Sequence, residues 1–363
     1  MIALSYPKVK QLKPYIFAEP FAGSAALTYW LLGGKPPISY CGSKQGYAPV
    51  IADILGLSQH HKPAGIILGE PGPFAAVHAT LGGASGSAED VAGWLTCAGQ
   101  SFRIGHPDSG YNKTEAEGGN WETHGAVRPW MERIAPTIPD LPLPAARQVA
   151  NIIRSWKDEE PRALWERLKA KGWPSLLLPE GCRGRWLGPD SVETVAAYFA
   201  AAELVAKGDP AAGYAGEQER HDAGRCWTKP DLIGVAARTE SLPTFPPLAV
   251  YQGFAEDLAL PADLSGVVMF ADPPYENTTG YKHGTCNRET VLRLARDWSG
   301  RGAIVAISEA VRLDRELGDG WHAVQIDHAR RGAKRTFSKQ QDEWLTLNRP
   351  PQYVPPKQQG LFQ

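Results

Sequence analysis

The stretch Val267-Val268-Met269-Phe270-Ala271-Asp272-Pro273-Pro274-Tyr275 sets the reading of this chain. Ser265-Gly266 opens it and two prolines close it. An apolar run of β-branched and aromatic residues with such bounds predicts a buried strand. Proline has no N–H for the ladder, so the strand stops there. The residue before a proline is held extended. Asp272 and Tyr275 are therefore expected at the strand's C-terminal edge, which is where open α/β sheets bind ligands.

Those residues suit one kind of chemistry. An exocyclic amine on a heterocycle is a poor nucleophile, because its lone pair is delocalised into the ring. The Asp272 carboxylate and the Pro273 carbonyl can accept its two N–H bonds and push the nitrogen toward tetrahedral geometry. The Tyr275 ring can stack on the heterocycle. A base in a duplex reaches such a pocket only when flipped out. The plainer alternative is a strand that Pro-Pro ends and an Asp caps, so the flanking sequence has to decide.

Upstream, Tyr15-Ile16-Phe17-Ala18-Glu19 reads as a short strand, Pro20 to Ser24 as a turn of small residues, and Ala25 to Leu32 as a helix. Strand, glycine-bearing turn and helix open a dinucleotide-type α/β unit. Small residues let backbone approach a ligand at the helix start. Gly42-Ser43-Lys44 precedes a second helical pattern over 47–55, and its N–H groups and cation suit a carboxylate or phosphate. A surface turn with a solvated lysine fits the same residues. Residues 65–70 read as a strand ending in Glu70, an acidic position suited to ribose hydroxyls. It lies well beyond the usual spacing of ~20 residues after the glycine turn, and the segment carrying Lys44 accounts for the extra length.

From Gly82 the strand–helix rhythm lapses until about residue 248. A Gly/Ser linker leads into helical patterns over 145–171 and 191–207 and into proline-rich loops. Arg183 and Arg185 stand beside Trp186, a pairing that suits phosphate contact and base stacking. Tryptophan in a core with arginine at its rim is the competing reading. The rhythm returns with strands over 248–253, 267–271, 303–308, 322–327 and 343–348, and helices over 287–298 and 309–317. Between the last two strands a hairpin carries Arg330, Arg331, Lys334, Arg335 and Lys339, expected to meet phosphates. The tail from Pro350 to Gln363 is rich in proline and glutamine and is expected to fray.

The chain has 363 residues, 43% hydrophobic and 21% charged, which fits a globular protein with ample core. No basic leader with an apolar core and no bilayer-length apolar run is present. The five cysteines are scattered with no Cys-x-x-Cys pair, so neither a disulfide framework nor a structural zinc is expected, and a cytoplasmic location is. With a net charge of −1, nucleic-acid affinity must come from local basic patches.

The order of these features resembles a known family. Glu-Pro-Phe-Ala-Gly-Ser (19–24) looks like the S-adenosylmethionine motif of DNA amino-methyltransferases, and Asp-Pro-Pro-Tyr (272–275) like their catalytic motif in its N6-adenine form. The Phe254-Ala-Glu-Asp-Leu segment and Glu343-Trp-Leu-Thr-Leu-Asn are similar to those of Dam-like adenine methylases. The resemblance covers roughly 1–80 and 248–348. It implies a Rossmann-like methyltransferase sheet from 1–81 and 246–349, interrupted by a large, mainly helical and loop target-recognition insert over 82–245.

It implies further that Glu19, Pro20, Phe21, Gly23, Ser24 and Phe254 line the cofactor pocket. Glu70 would hold the ribose and Lys44 the methionine carboxylate. Asp272, Pro273, Pro274 and Tyr275 would hold the target amine, with Asp272 also facing the cofactor. Double-stranded DNA is the implied partner, a cognate restriction enzyme is compatible, and neither metal nor membrane is called for. Two features depart from the family order. The Gly-Ser-Lys segment follows the glycine turn instead of preceding it, and the acidic residue expected before the catalytic strand falls near Gly253. N4-cytosine or RNA methylation, or a non-catalytic DNA-binding module with this fold, remain the alternative readings. Monomer and dimer stay equally open.

Overall fold

The computed structural model describes residues 15–37, 44–70, 74–82, 145–170, 189–204, 231–243, 245, 248–251, 253–258, 260, 262–275, 286–327 and 342–355. Its short apolar runs form the strands β1 (Ile16–Glu19), β2 (Gly65–Gly69), β3 (Leu248–Tyr251), β4 (Val267–Ala271), β5 (Ile304–Glu309), β6 (His322–Asp327) and β7 (Glu343–Leu347). They build one seven-stranded sheet in the order β3-β2-β1-β4-β5-β7-β6. The first five are parallel, and β7 runs antiparallel between β5 and β6. The α/β expectation is met. Strand order reverses between β1 and β4, so the crevice above that pair is where a sheet of this kind receives a ligand.

Side chains alternate across the sheet, and both faces are buried. Phe17, Ile66, Leu68, Val268, Phe270 and Ala306 point to one side. On that side lie α1 (Ala26–Leu31), α2 (Ala48–Leu55) and α3 (Phe74–Gly82). Ile16, Ala18, Ile67, Val267, Met269, Ala271, Val305 and Ile307 point to the other, where α8 (Arg288–Gly300) buries Val291, Ala295 and Trp298. Asn287 caps α8 by accepting from the Thr290 N–H at 2.8 Å. Asn348 clamps the far edge: its Oδ1 accepts from Val305 N–H at 2.9 Å, and its Nδ2 donates to the Ala303 carbonyl at 2.9 Å.

The long middle of the chain contributes α4 (Ala145–Ser155), α5 (Pro161–Ala170), α6 (Pro189–Leu204) and α7 (Leu232–Glu240). Val149, Ile153, Tyr198, Phe199 and Val235 share one core with Ile66 and Leu68 of β2 and with Phe74 and Val77 of α3. The described helices of this stretch thus pack over the β2–β3 side of the sheet.

Several expected elements differ in extent. The helical pattern over 145–171 is two helices, because Pro161 starts a new one and the Glu160 side chain caps it by accepting from Ala163 N–H at 2.9 Å. The helix expected over 309–317 shrinks to α9 (Asp314–Leu317). Glu309 instead extends β5, opposite Trp344 of β7, since the antiparallel partner supplies a ladder beyond the apolar run. Helices α3 and α7 were not anticipated. Gln352, in the segment expected to fray, donates its backbone N–H to the Ile54 carbonyl at 2.9 Å. Among the described residues no helix is long and apolar enough to cross a membrane.

Candidate functional site at the C-terminal edge of the sheet

The turn after β1 is tied down from three sides. Gly23, at φ +46°, uses the left-handed region that glycine enters without cost. Its N–H donates to Glu70 Oε2 at 2.9 Å, and its carbonyl accepts from His78 Nε2 at 2.8 Å. The Ala22 N–H donates to the Gly69 carbonyl at 2.9 Å. His78 comes from α3 and is fully buried between Phe74 and Tyr29. Burial pushes its imidazole down to about 4, so it is neutral. Its role as a brace carries no sequence signal, because a lone histidine on an apolar helix reads as core.

The turn also presses on β2. A Cβ on Gly69 would lie 3.0 Å from the Pro20 carbonyl oxygen and 3.1 Å from its Cα. These are backbone atoms and cannot swing aside. Gly69→Ala is expected to lower stability by about 1–3 kcal/mol, read by urea unfolding; an unchanged midpoint would show that the turn yields freely.

Glu19 ends β1 and is buried at 3% exposure. Its Oε2 accepts from the Thr28 backbone N–H at 3.0 Å and from the Thr28 hydroxyl. Desolvation pushes its carboxyl up to about 8 against those bonds, with Asp272 adding a smaller push. Between pH 4.5 and 8 the folded protein therefore holds a proton that the unfolded chain has released. The stability this contributes is complete below the unfolded value and is lost as the pH rises through about 8. The melting temperature of the wild type should fall relative to Glu19→Gln across that interval. Parallel curves would place the charged form in the fold.

Lys44 reaches the end of β4. It opens the 3-10 turn Lys44–Gly46 before α2 and is only 4% exposed. Its Nζ lies 2.6 Å from Asp272 Oδ1 and 3.4 Å from Glu343 Oε1. It also sits 4.8 Å from the centre of the Tyr275 ring, a cation–π distance. The Tyr275 hydroxyl bonds Glu343 Oε1 and lies 3.1 Å from Ser308 Oγ, and Ser308 bonds Glu343 in turn. Alternation explains the gathering. Ser308 points to the same side of the sheet as Ala306, and Asp272 continues the side of Val268 and Phe270, which is the side carrying α2. The structure thus joins Lys44 to Asp272 and Tyr275 from two distant segments, and β5 and β7 add Ser308 and Glu343.

Pro273, buried, and Pro274 wall a small cleft on the opposite side, with Cys286, Arg288, Val291, Leu313 and Glu309. Of the remaining expected positions, Pro20 and Ser24 are buried in the β1 turn. Phe21 is half-buried against the core under α8. Phe254 is 42% exposed after β3. Arg183, Arg185, Arg330, Arg331, Lys334, Arg335 and Lys339 lie outside the described residues.

Ser308, Glu309 and Glu343 were not singled out as site residues. Their position at strand ends was a usable signal, since ligand-facing residues of such sheets gather there. Comparison with protein-family models and with curated proteins finds no match.

Proposed function

We propose that this chain is an S-adenosylmethionine-dependent DNA methyltransferase acting on the N6 amine of a flipped-out adenine. The observation that supports it most is the joining of Asp272, Lys44 and Tyr275 at the end of β4, beside the glycine turn of β1. The strand order supports it too, being the doubly wound 3-2-1-4-5-6 with one antiparallel strand inserted.

The residues of the crevice fit the cofactor. Glu70 and the partly exposed Asp272, the latter shared with Lys44, place carboxylates at its C-terminal edge, which suits a ligand bearing a sulfonium and an ammonium. Gly69 and Gly23 bring backbone to the turn with no side chain between. Pro20, Phe21, Gly23 and Ser24 would hold the cofactor, with Glu70 on its ribose. When bound, S-adenosylmethionine supplies a methyl group made electrophilic by its positively charged sulfur.

The chain's own residues hold the acceptor. Asp272, kept against an ammonium, acts as a hydrogen-bond acceptor for the amine. The Pro273 carbonyl takes the second N–H. Lys44 would serve a methionine carboxylate only in part, because its ammonium is already shared with Asp272 and Glu343. It therefore orients Asp272 as well. Tyr275 is held by its hydroxyl, leaving its ring to position the base. Alignment of amine and methyl donor supplies much of the acceleration.

The test is transfer of labelled methyl from S-adenosylmethionine to unmethylated genomic DNA, followed by nucleoside analysis. N6-methyladenine is the expected product. N4-methylcytosine would keep the amine chemistry and change the target. Label in neither, with cofactor bound, would overturn the DNA reading.

A further inference from the structure

Glu309 is a buried carboxyl that the chemistry above leaves unused. It ends β5, is 7% exposed, and lines the cleft behind Pro273 and Pro274. Its Oε2 is buried without a hydrogen-bond partner among the described residues. A buried oxygen left unpaired is costly unless something fills it. Alternation sends it to the side of Val305 and Ile307, away from the Lys44 cluster. Nothing in that cluster therefore satisfies it, and a partner would have to come from the cleft.

Resting on the methyltransferase reading, we propose that Glu309 is a specificity residue whose carboxyl O–H donates a hydrogen bond to the ring nitrogen beside the target amine, N1 of adenine. The placement follows from Pro273. Its carbonyl accepts the exocyclic N–H, and the ring nitrogen lies two bonds from that amine nitrogen along the same edge of the base. A donor on the same cleft as Pro273 meets that nitrogen's lone pair. Adenine N1 and cytosine N3 accept such a bond, whereas guanine N1–H and thymine N3–H clash with it.

The protonation state fits this role. Desolvation raises Glu309 to about 7, so the carboxyl keeps its proton on the acid side of neutrality. Arg288 at the start of α8 and Lys44 before α2 pull it down. Asp272 at the end of β4 and Glu343 at the start of β7 push it up. Cys286, on the same cleft, is raised by burial to about 12 and stays neutral. Ketosteroid isomerase offers a general precedent for a buried carboxylic acid that serves as a donor.

Two readouts test the assignment. The first is the pH profile of methyl transfer to unmethylated genomic DNA. The wild type should lose rate above about pH 7 as Glu309 ionises, falling about tenfold by a pH one unit higher than its midpoint. Glu309→Gln should keep its rate there, because an amide N–H donates at every pH. Glu309→Ala should be slower throughout. The second is calorimetric binding of adenosine against 1-deazaadenosine, which lacks the N1 lone pair, with S-adenosylhomocysteine present in excess so that the cofactor pocket does not report. Wild type at about pH 6 should prefer adenosine by about tenfold, and Glu309→Ala should bind both alike.

Active wild type with Glu309→Gln and Glu309→Ala following its pH profile, or equal binding of the two nucleosides, overturns the Glu309 assignment alone. Absent transfer with the adenosine preference intact overturns the methyltransferase reading and leaves the contact standing. A variant that fails to melt cooperatively is replaced by the nucleoside comparison on wild type at about pH 6 and about pH 9, where the preference must disappear at the higher value.

Discussion

Lys44→Met is expected to lose about 3–5 kcal/mol of folding stability and to abolish turnover. The ammonium is 4% exposed and touches two carboxylates, one of which, Glu343, is 1% exposed. Removing the cation leaves Glu343 buried without that counter-charge, its Oε1 still bonded by the hydroxyls of Tyr275 and Ser308. A carboxylate stripped of its counter-charge costs far more than the pair contributes by existing. The Tyr275 ring loses its cation as well. Urea unfolding of Lys44→Met, Glu343→Gln and the double variant reads the coupling directly. The double variant should recover part of the loss, because the amide no longer needs a cation. Strict additivity of the two single losses would dismiss the cluster as a stabilising unit.

Asp272→Ala is expected to lower the turnover number by about 100- to 1,000-fold while leaving the fold nearly as stable. The effect on stability is smaller than at Lys44 because Asp272 is 20% exposed and Glu343 still faces the ammonium. The effect on rate is large because the acceptor that frees the amine lone pair is gone. S-adenosylmethionine binding by calorimetry should persist, separating loss of chemistry from loss of the pocket. Full activity in this variant would remove Asp272 from the mechanism and with it the central argument for amine methylation.

Much of the architecture was readable along the chain. The run Val267–Ala271 is apolar and ends in Pro-Pro, so its identity as a buried strand and its stopping point are both local facts. The helix start at Asn287 and the strand ending at Glu19 are local in the same sense. The end of β5 was misread by one residue, since its ladder is supplied by β7 from elsewhere in the chain. Helix α3 escaped notice because it follows Pro71-Gly72-Pro73 and ends on the glycine-rich stretch, both of which read as loop.

Composition, periodicity and punctuation establish that the chain forms an α/β sheet and which residues stand at its ligand-facing edge, because strand length and the alternation of side chains are properties of neighbours in sequence. They also mark Asp272 and Tyr275 as residues presented there. They do not say that Lys44 reaches Asp272, that Glu343 completes the pair, or that Glu309 faces the opposite cleft. Those relations depend on which strands lie side by side and in what register, and register is decided by packing between segments far apart in the chain.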